Sequence, residues 1–295
     1  LAIRVFEELG KIFPDIHIIV GNHDIMRKNS NEISSVDCLK YVPNVTVLKE
    51  PKILKYKDAT CLLLPWRRNS EHEKETLDKI KDKIDYMFCH TETQGIQTNP
   101  STKHLHQSGN EVSTFKRFKR VYSGHIHYRQ EKGNFILVGN PYQMTRSDRD
   151  NQKGIYLLDL ESGEHTFYEN NRSPKFIRYY INNILEMRME DIEKEIKDNF
   201  VDVFIPSNIL GKYNINMFMD YLDGMARKLE PRIYDEENPY DVEDGELSDF
   251  NGELNLMNIA AEYINSLDYD DDLKERLKVS VQELYKRTLS PNYED

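Results

Sequence analysis

Three apolar runs in this chain each stop abruptly at histidine. They read IHIIVGNHD from 16 to 24, YMFCHTE from 86 to 92 and VYSGHIH from 121 to 127. A short apolar run that ends in glycine or polar residues is the pattern of a strand buried in a sheet. Loops at the carboxyl ends of such strands are where α/β proteins place their ligands. Further strands are expected at 45–48, 53–56, 61–65, 135–138, 155–160 and 165–168, and helices at 2–13, 34–41, 70–83 and 113–118. Strands interleaved with helices, with several strand-to-strand hops, imply an α/β chain of stacked sheets flanked by helices.

The texture changes after Ser173-Pro174. Strands at 176–181 and 200–205 and helices at 187–199 and 215–229 make a small α+β unit. Residues 231–250 then hold eight acidic residues against one basic, with two prolines and a glycine, which reads as a solvated linker. Two amphipathic helices close the chain, at 254–267 and 272–289. They either complete their own fold or dock on a partner. The domain boundaries that follow are 1–172, 173–232, a linker at 233–252, and a helical segment at 253–295.

Composition removes some classes. No apolar run reaches 18 residues, so no membrane span is expected. Cys38, Cys61 and Cys89 form neither a paired framework nor a CxxC zinc pattern, which fits a reducing cytoplasm. The net charge of −11 is uneven: residues 1–150 hold 24 Lys and Arg against 19 Asp and Glu, and the rest hold 16 against 32. The first half can face a polyanion, and the second would repel one.

The histidine loops carry the chemistry. Gly21 allows a sharp turn, Asn22 offers a side-chain oxygen to a metal, and His23 offers a proton or a ligand nitrogen. Asp24 could orient His23 by accepting its other ring N–H. His90 alone is an ordinary structural histidine. His125 and His127 are two residues apart, so in extended chain they face one cavity at roughly 6–7 Å. That spacing suits two neighbouring metals better than one. Asp15-Ile16-His17 also has a DxH spelling, but His17 shares a side with Ile19 and reads as a packed strand residue.

The order GNHD, H, GHxH resembles the calcineurin-like metallophosphoesterase superfamily. The stretch after it, with Gly139–Gln143 (GNPYQ), Lys153–Tyr156 and the later SPKF, looks like the SbcD-type DNA repair nucleases, in the version carried by T-even-like phages. The resemblance implies a stacked two-sheet α/β/β/α sandwich, a small capping domain at 173–232 and carboxy-terminal helices. It implies two divalent metal ions, manganese by the group's habit, with Asn22, His90 and His125 on one and His127 on the other. His23 would contact the scissile phosphate and serve the leaving oxygen, with Asp24 behind it. The implied activity is an exonuclease on duplex ends and an endonuclease on single strands, in recombination and repair. The implied partners are DNA, a second copy of the chain, and an SbcC-type ABC ATPase held by the carboxy-terminal helices.

The group also needs an earlier DxH and an earlier Gly-Asp. No Gly-Asp dipeptide occurs, and the chain opens on Leu1, so an amino-terminally truncated form is expected. Phosphate contacts are expected from Arg67, Arg68, the cluster of Lys116, Arg117, Lys119 and Arg120, and from Arg129, Arg146 and Arg149. Two rivals remain: another metallophosphoesterase acting on a phosphoprotein or small diester, and a non-catalytic scaffold.

Overall fold

The computed structural model describes residues 2–27, 30–98, 105–210, 215–234, 264–265 and 269–288. The expected helix at 254–267 lies outside the described residues apart from Ile264 and Asn265, as does the linker expected at 233–252 apart from Ile233 and Tyr234, which belong to a strand. The chain divides into two compact units, Leu1–Asp244 and Gly245–Asp295.

The first unit is α/β. It opens with α1 (Ala2–Ile12), then β1 (Ile16–Ile19), β2 (Ile25–Arg27), β3 (Ser30–Ser34), β4 (Val45–Leu48), β5 (Lys52–Lys55), β6 (Thr60–Leu64) and α2 (Ser70–Lys79). β7 (Tyr86–Cys89), β8 (Thr93–Gln94), β9 (Asn110–Glu111), β10 (Arg120–Ser123), β11 (Gln130–Lys132) and β12 (Phe135–Leu137) follow. The main sheet runs β11-β12-β10-β7-β6-β5. Its four inner strands are parallel, and both edges are antiparallel. The inner strands read as unbroken apolar runs because both faces are covered. Leu62, Leu64, Met87, Val121, Phe135 and Leu137 form a core with Phe115 and Leu77 on one face, and Cys61, Tyr86, Tyr122 and Ile136 fill the other.

β1 and β4 pair in parallel as a separate ladder, Ile16 opposite Val45 through Ile19 opposite Leu48. His17 sits inside β1 opposite Thr46, as a strand residue. The two sets of strands are tied where β1 ends: the Trp66 N–H donates to the Val20 carbonyl at 2.8 Å. This stitch brings the exits of β1 and β6 side by side, next to those of β7 and β10.

β13 (Gly154–Leu158) and β14 (His165–Glu169) form a hairpin. A three-stranded parallel sheet follows, from β15 (Phe176–Tyr180), β16 (Phe200–Pro206) and β17 (Lys228–Tyr234), with helices α3 (Ile181–Leu185), α4 (Met189–Ile196) and α5 (Ile215–Asp223). Its own core gathers Ile181, Ile184, Ile192, Ile196, Val201, Val203 and Leu222. In the second unit, α6 (Asp271–Thr288) matches the expected helix at 272–289.

Several expectations shift. The helix expected at 34–41 is only a tight turn at Asp37–Tyr41, and before it β2 and β3 pair antiparallel. The helix expected at 187–199 is shorter, Met189–Ile196. The one expected at 215–229 stops at Asp223, and Lys228–Tyr234 is a strand. Pro231 hid that strand, yet β17 is the outer strand of its sheet, where a residue without an N–H is tolerated. Among the described residues no helix is long and apolar enough to cross a membrane.

Candidate active site

The Gly21–Asp24 turn is closed by its own aspartate. The Gly21 N–H donates to Asp24 Oδ2 at 2.8 Å, and the Asp24 N–H returns to the Gly21 carbonyl at 3.2 Å. Asp24 therefore holds the turn rather than the His23 ring, and no hydrogen bond joins it to His23 among the described residues. His23 is exposed at the rim.

The turn aims Asn22 at two imidazoles. Asn22 Oδ1 lies 2.8 Å from His90 Nε2 and 3.4 Å from His125 Nδ1. The rings of His90 and His125 meet edge to face with centroids 5.4 Å apart. Trp66, at the exit of β6, stacks on His125 at 5.1 Å and meets His90 by its edge at 6.0 Å. Two glycines make room for His90. A Cβ on Gly21 would lie 2.9 Å from its Cε1, and one on Gly124 would lie 3.0 Å from its Nδ1. So the glycines of GNHD and GHxH form a slot for one ring.

His125 occupies left-handed backbone, with φ of 78°. That conformation costs a non-glycine residue energy and persists only where the surroundings impose it. It also revises the reasoning about HxH. The chain from 124 to 129 is a loop, not extended strand, so alternation does not orient the pair. Both histidines nonetheless border one cleft of about 140 Å³, with Ser147, Asp148, Asn151 and Lys153.

Burial pushes the His90 imidazole down to about 4, with the neighbouring His125, His23 and His127 adding to the effect. Burial also lowers His125. Both rings are neutral near pH 7, the form that offers a lone pair to a metal.

Does this set fit a divalent cation? Two ligands each about 2.1 Å from one ion are separated by about 3.0 Å at a right angle and about 3.4 Å at a tetrahedral angle. Of the two separations around Asn22 Oδ1, that to His125 at 3.4 Å is the tetrahedral value, and that to His90 at 2.8 Å is a hydrogen-bond distance just below the right-angle value. Two imidazoles and an amide oxygen suit manganese, iron or zinc. However, among the described residues no group of three or more His, Cys, Asp or Glu side chains is placed to hold a metal ion. The trio converges as ligands of one ion would, with one separation at a ligand-to-ligand value, and lacks a carboxylate.

A buried network underlies the histidine loops. Glu73 of α2 accepts from the Thr91 hydroxyl and from Asn110 Nδ2 at 3.0 Å. The Thr91 N–H donates to Ser123 Oγ at 3.3 Å, linking the loops that bear His90 and His125. His127 faces Asp148, with Nδ1 3.8 Å from Oδ1. Lys153 Nζ donates to Asp148 Oδ1 at 2.8 Å and to the His127 carbonyl at 2.6 Å. Trp66, Glu73, Asp148 and Lys153 escaped the sequence reading as site residues. Only Lys153 carried a signal, as the lysine of the KG pair.

Most of the expected phosphate contacts are engaged within the protein. Arg67 is buried and bonds Glu50 and the Lys49 carbonyl, both at 3.2 Å. Arg117 caps the end of α2, donating to the Leu77 carbonyl at 2.9 Å. Arg129 lies over Phe167 at 4.2 Å and donates to Gln152 and the Tyr156 hydroxyl. Arg146 forms a two-pronged pair with Asp202 at 2.8 and 3.0 Å, and Arg149 reaches the same carboxylate at 3.2 Å. Arg68 and Lys116 are exposed.

No protein-family model matches the chain. Exonuclease subunit 1 of Enterobacteria phage T4 is 32% identical over 159 residues. The match covers 53% of this chain and 45% of that relative, so the chain spans about half the length of the curated protein it matches. The similarity is to the group that the histidine motifs resemble.

Proposed function

We propose that the chain is part of a metal-dependent phosphodiesterase that cuts DNA in recombination and repair. The observation that carries this is the convergence of Asn22 Oδ1 on His90 Nε2 and His125 Nδ1 at neighbouring strand exits. The similarity to a phage exonuclease subunit supports DNA as the substrate class.

Asn22, His90 and His125 would hold one divalent cation, and His127 a second. Ions held there would supply Lewis acidity for activating a water and polarising the phosphoryl oxygens. The chain's own residues do the rest. His23, exposed at the rim beside the trio, binds the scissile phosphate and delivers a proton to the leaving oxygen. Asp24 keeps the Asn22-His23 peptide in register by closing the turn. Trp66 fixes the His125 ring plane and shields it from water. Arg68 and Lys116 meet flanking phosphates. The segment 173–232 acts as a cap over the DNA, and the carboxy-terminal helices dock on an SbcC-type ATPase. A second copy completes the assembly.

The test is manganese-dependent cleavage of end-labelled duplex and single-stranded DNA by this chain and by the full-length gene product. Cleavage by the full-length protein that His127→Gln and Asn22→Ala abolish supports the proposal. The scaffold reading takes its place if the full-length protein is inert with manganese and its ATPase partner. That rival draws on one observation, the carboxylate-free donor set.

A further inference from the structure

We infer that the short turn from Thr145 to Arg149 is a positioning device that ties His127 to the three-stranded sheet of 173–232, with Asp148 as its inward arm and Asp202 as its anchor. The inference rests on the reading of His127 as a site residue.

The turn is internally rigid. Thr145 and Asp148 cap it reciprocally, and Asp148 Oδ2 accepts the N–H groups of Met144 at 2.9 Å and Thr145 at 3.0 Å. Its two sides face different parts of the protein. Inward, Asp148 Oδ1 holds Lys153 Nζ, and Lys153 in turn holds the His127 carbonyl. Asp148 and Lys153 are 2% and 4% exposed, so neither serves solubility or a surface contact. Outward, Arg146 and Arg149 converge on Asp202 at the middle of β16, and Arg146 also reaches Glu230 of β17 at 2.6 Å.

The geometry makes this more than local packing. A buried carboxylate or ammonium is tolerable only with its partners in place. Asp202, itself 2% exposed, therefore holds the two arginines in one position. A turn with both arms fixed transmits a displacement of one to the other, because it has no slack to absorb it. His125 and His127 border the same cleft as Asp148 and Lys153, so the displacement arrives at the candidate site. Setting the half-buried Arg146 and Arg149 on one buried aspartate, when an apolar contact would join the segments as well, is explained if the joint must hold one register.

The test reads the His127 ring directly in the full-length protein. With ¹⁵N-labelled histidine, the His127 signals are assigned by their loss in His127→Gln. Asp148→Asn and Asp202→Asn are both expected to move those signals. Ile192→Val, which loosens the core of the three-stranded sheet without touching the turn, is expected to leave them in place. Arg146→Lys keeps the charge and loses the two-pronged geometry, and serves if Asp202→Asn does not fold. In the cleavage assay the two aspartate variants should lose about 10–100-fold in kcat, the usual range for outer partners of a site residue, with KM changed less. The inference is overturned if His127 keeps its signals in Asp202→Asn or Arg146→Lys, or if Ile192→Val moves them as far. If the signals move as expected while the full-length protein cuts no DNA, the device stands and the proposed function falls.

Discussion

Gly21→Ala separates a glycine needed for its space from one that merely sits in a turn. The Gly21 backbone is outside the left-handed region, so alanine is conformationally allowed there. With open space around it, the substitution would stabilise the fold by about 0.4–1 kcal/mol through the unfolded chain. The slot around His90 reverses that sign. The new Cβ would stand 2.9, 3.1 and 3.2 Å from three atoms of the ring, and the ring cannot retreat freely because Gly124 leaves room on its other side only by lacking a Cβ, and Trp66 and His125 pack against it. Recovering an ordinary contact needs a ring shift of about 0.5 Å, against a typical overpacking cost of about 1–3 kcal/mol. Set against the gain, the net loss is on the order of 1–2 kcal/mol, so the melting temperature should fall by roughly 2–8 °C at about 2–4 °C per kcal/mol. The same shift opens the 2.8 Å approach of His90 Nε2 to Asn22 Oδ1. Manganese affinity should fall by about tenfold or more, within the roughly 10–100-fold range by which disturbing the partners of a metal ligand weakens binding. Thermal unfolding and a manganese titration of the full-length protein and its Gly21→Ala variant measure both. A variant that melts at or above the wild type with an unchanged titration midpoint would refute the slot.

Two further outcomes follow from the same geometry. His90 is neutral in the fold down to about pH 4, whereas in the unfolded chain it takes up a proton near pH 6.5. Stability should therefore be at its plateau above about pH 6.5 and fall as the pH drops toward 4, by on the order of 3 kcal/mol for this group. His125 adds in the same direction, and urea unfolding at pH 7 and pH 5 should show a smaller difference in His90→Gln. Arg117→Met should lower stability by about 1 kcal/mol, through the lost bond to the Leu77 carbonyl, and leave the salt dependence of DNA binding unchanged. Arg68→Gln or Lys116→Gln should instead reduce the slope of log K against log salt by about 1 each; equal slopes in all three would remove the exposed pair from the DNA path.

The sequence made the strands of the main sheet legible because a strand covered on both faces must be a run of apolar residues. The helix of 215–229 was misjudged at its end because Lys228–Tyr234 alternates around a proline, and only its place at a sheet edge makes that proline harmless. The three histidine loops stood out as motifs, but the reasons for their glycines did not. Gly21 and Gly124 are 103 residues apart and flank a ring that belongs to a third segment. The arginines were read as free charges because sequence shows charge and hides partners. Arg146 and Arg149 find theirs more than fifty residues downstream, at Asp202. Asp24, beside His23 in the chain, turns back to Gly21 instead, because an unpaired N–H at a tight turn is the nearer donor.

The central claim is that Asn22, His90 and His125 hold one divalent cation. The direct measurement is pulsed electron paramagnetic resonance of manganese bound to the full-length protein, read for nitrogen couplings from imidazole. His125→Gly is the variant of choice, since glycine accepts the left-handed backbone that His125 adopts. The account predicts histidine nitrogen couplings in the wild type that weaken in His125→Gly and again when His90→Gln is added. Manganese bound without nitrogen coupling, or with couplings unchanged in both variants, would contradict it.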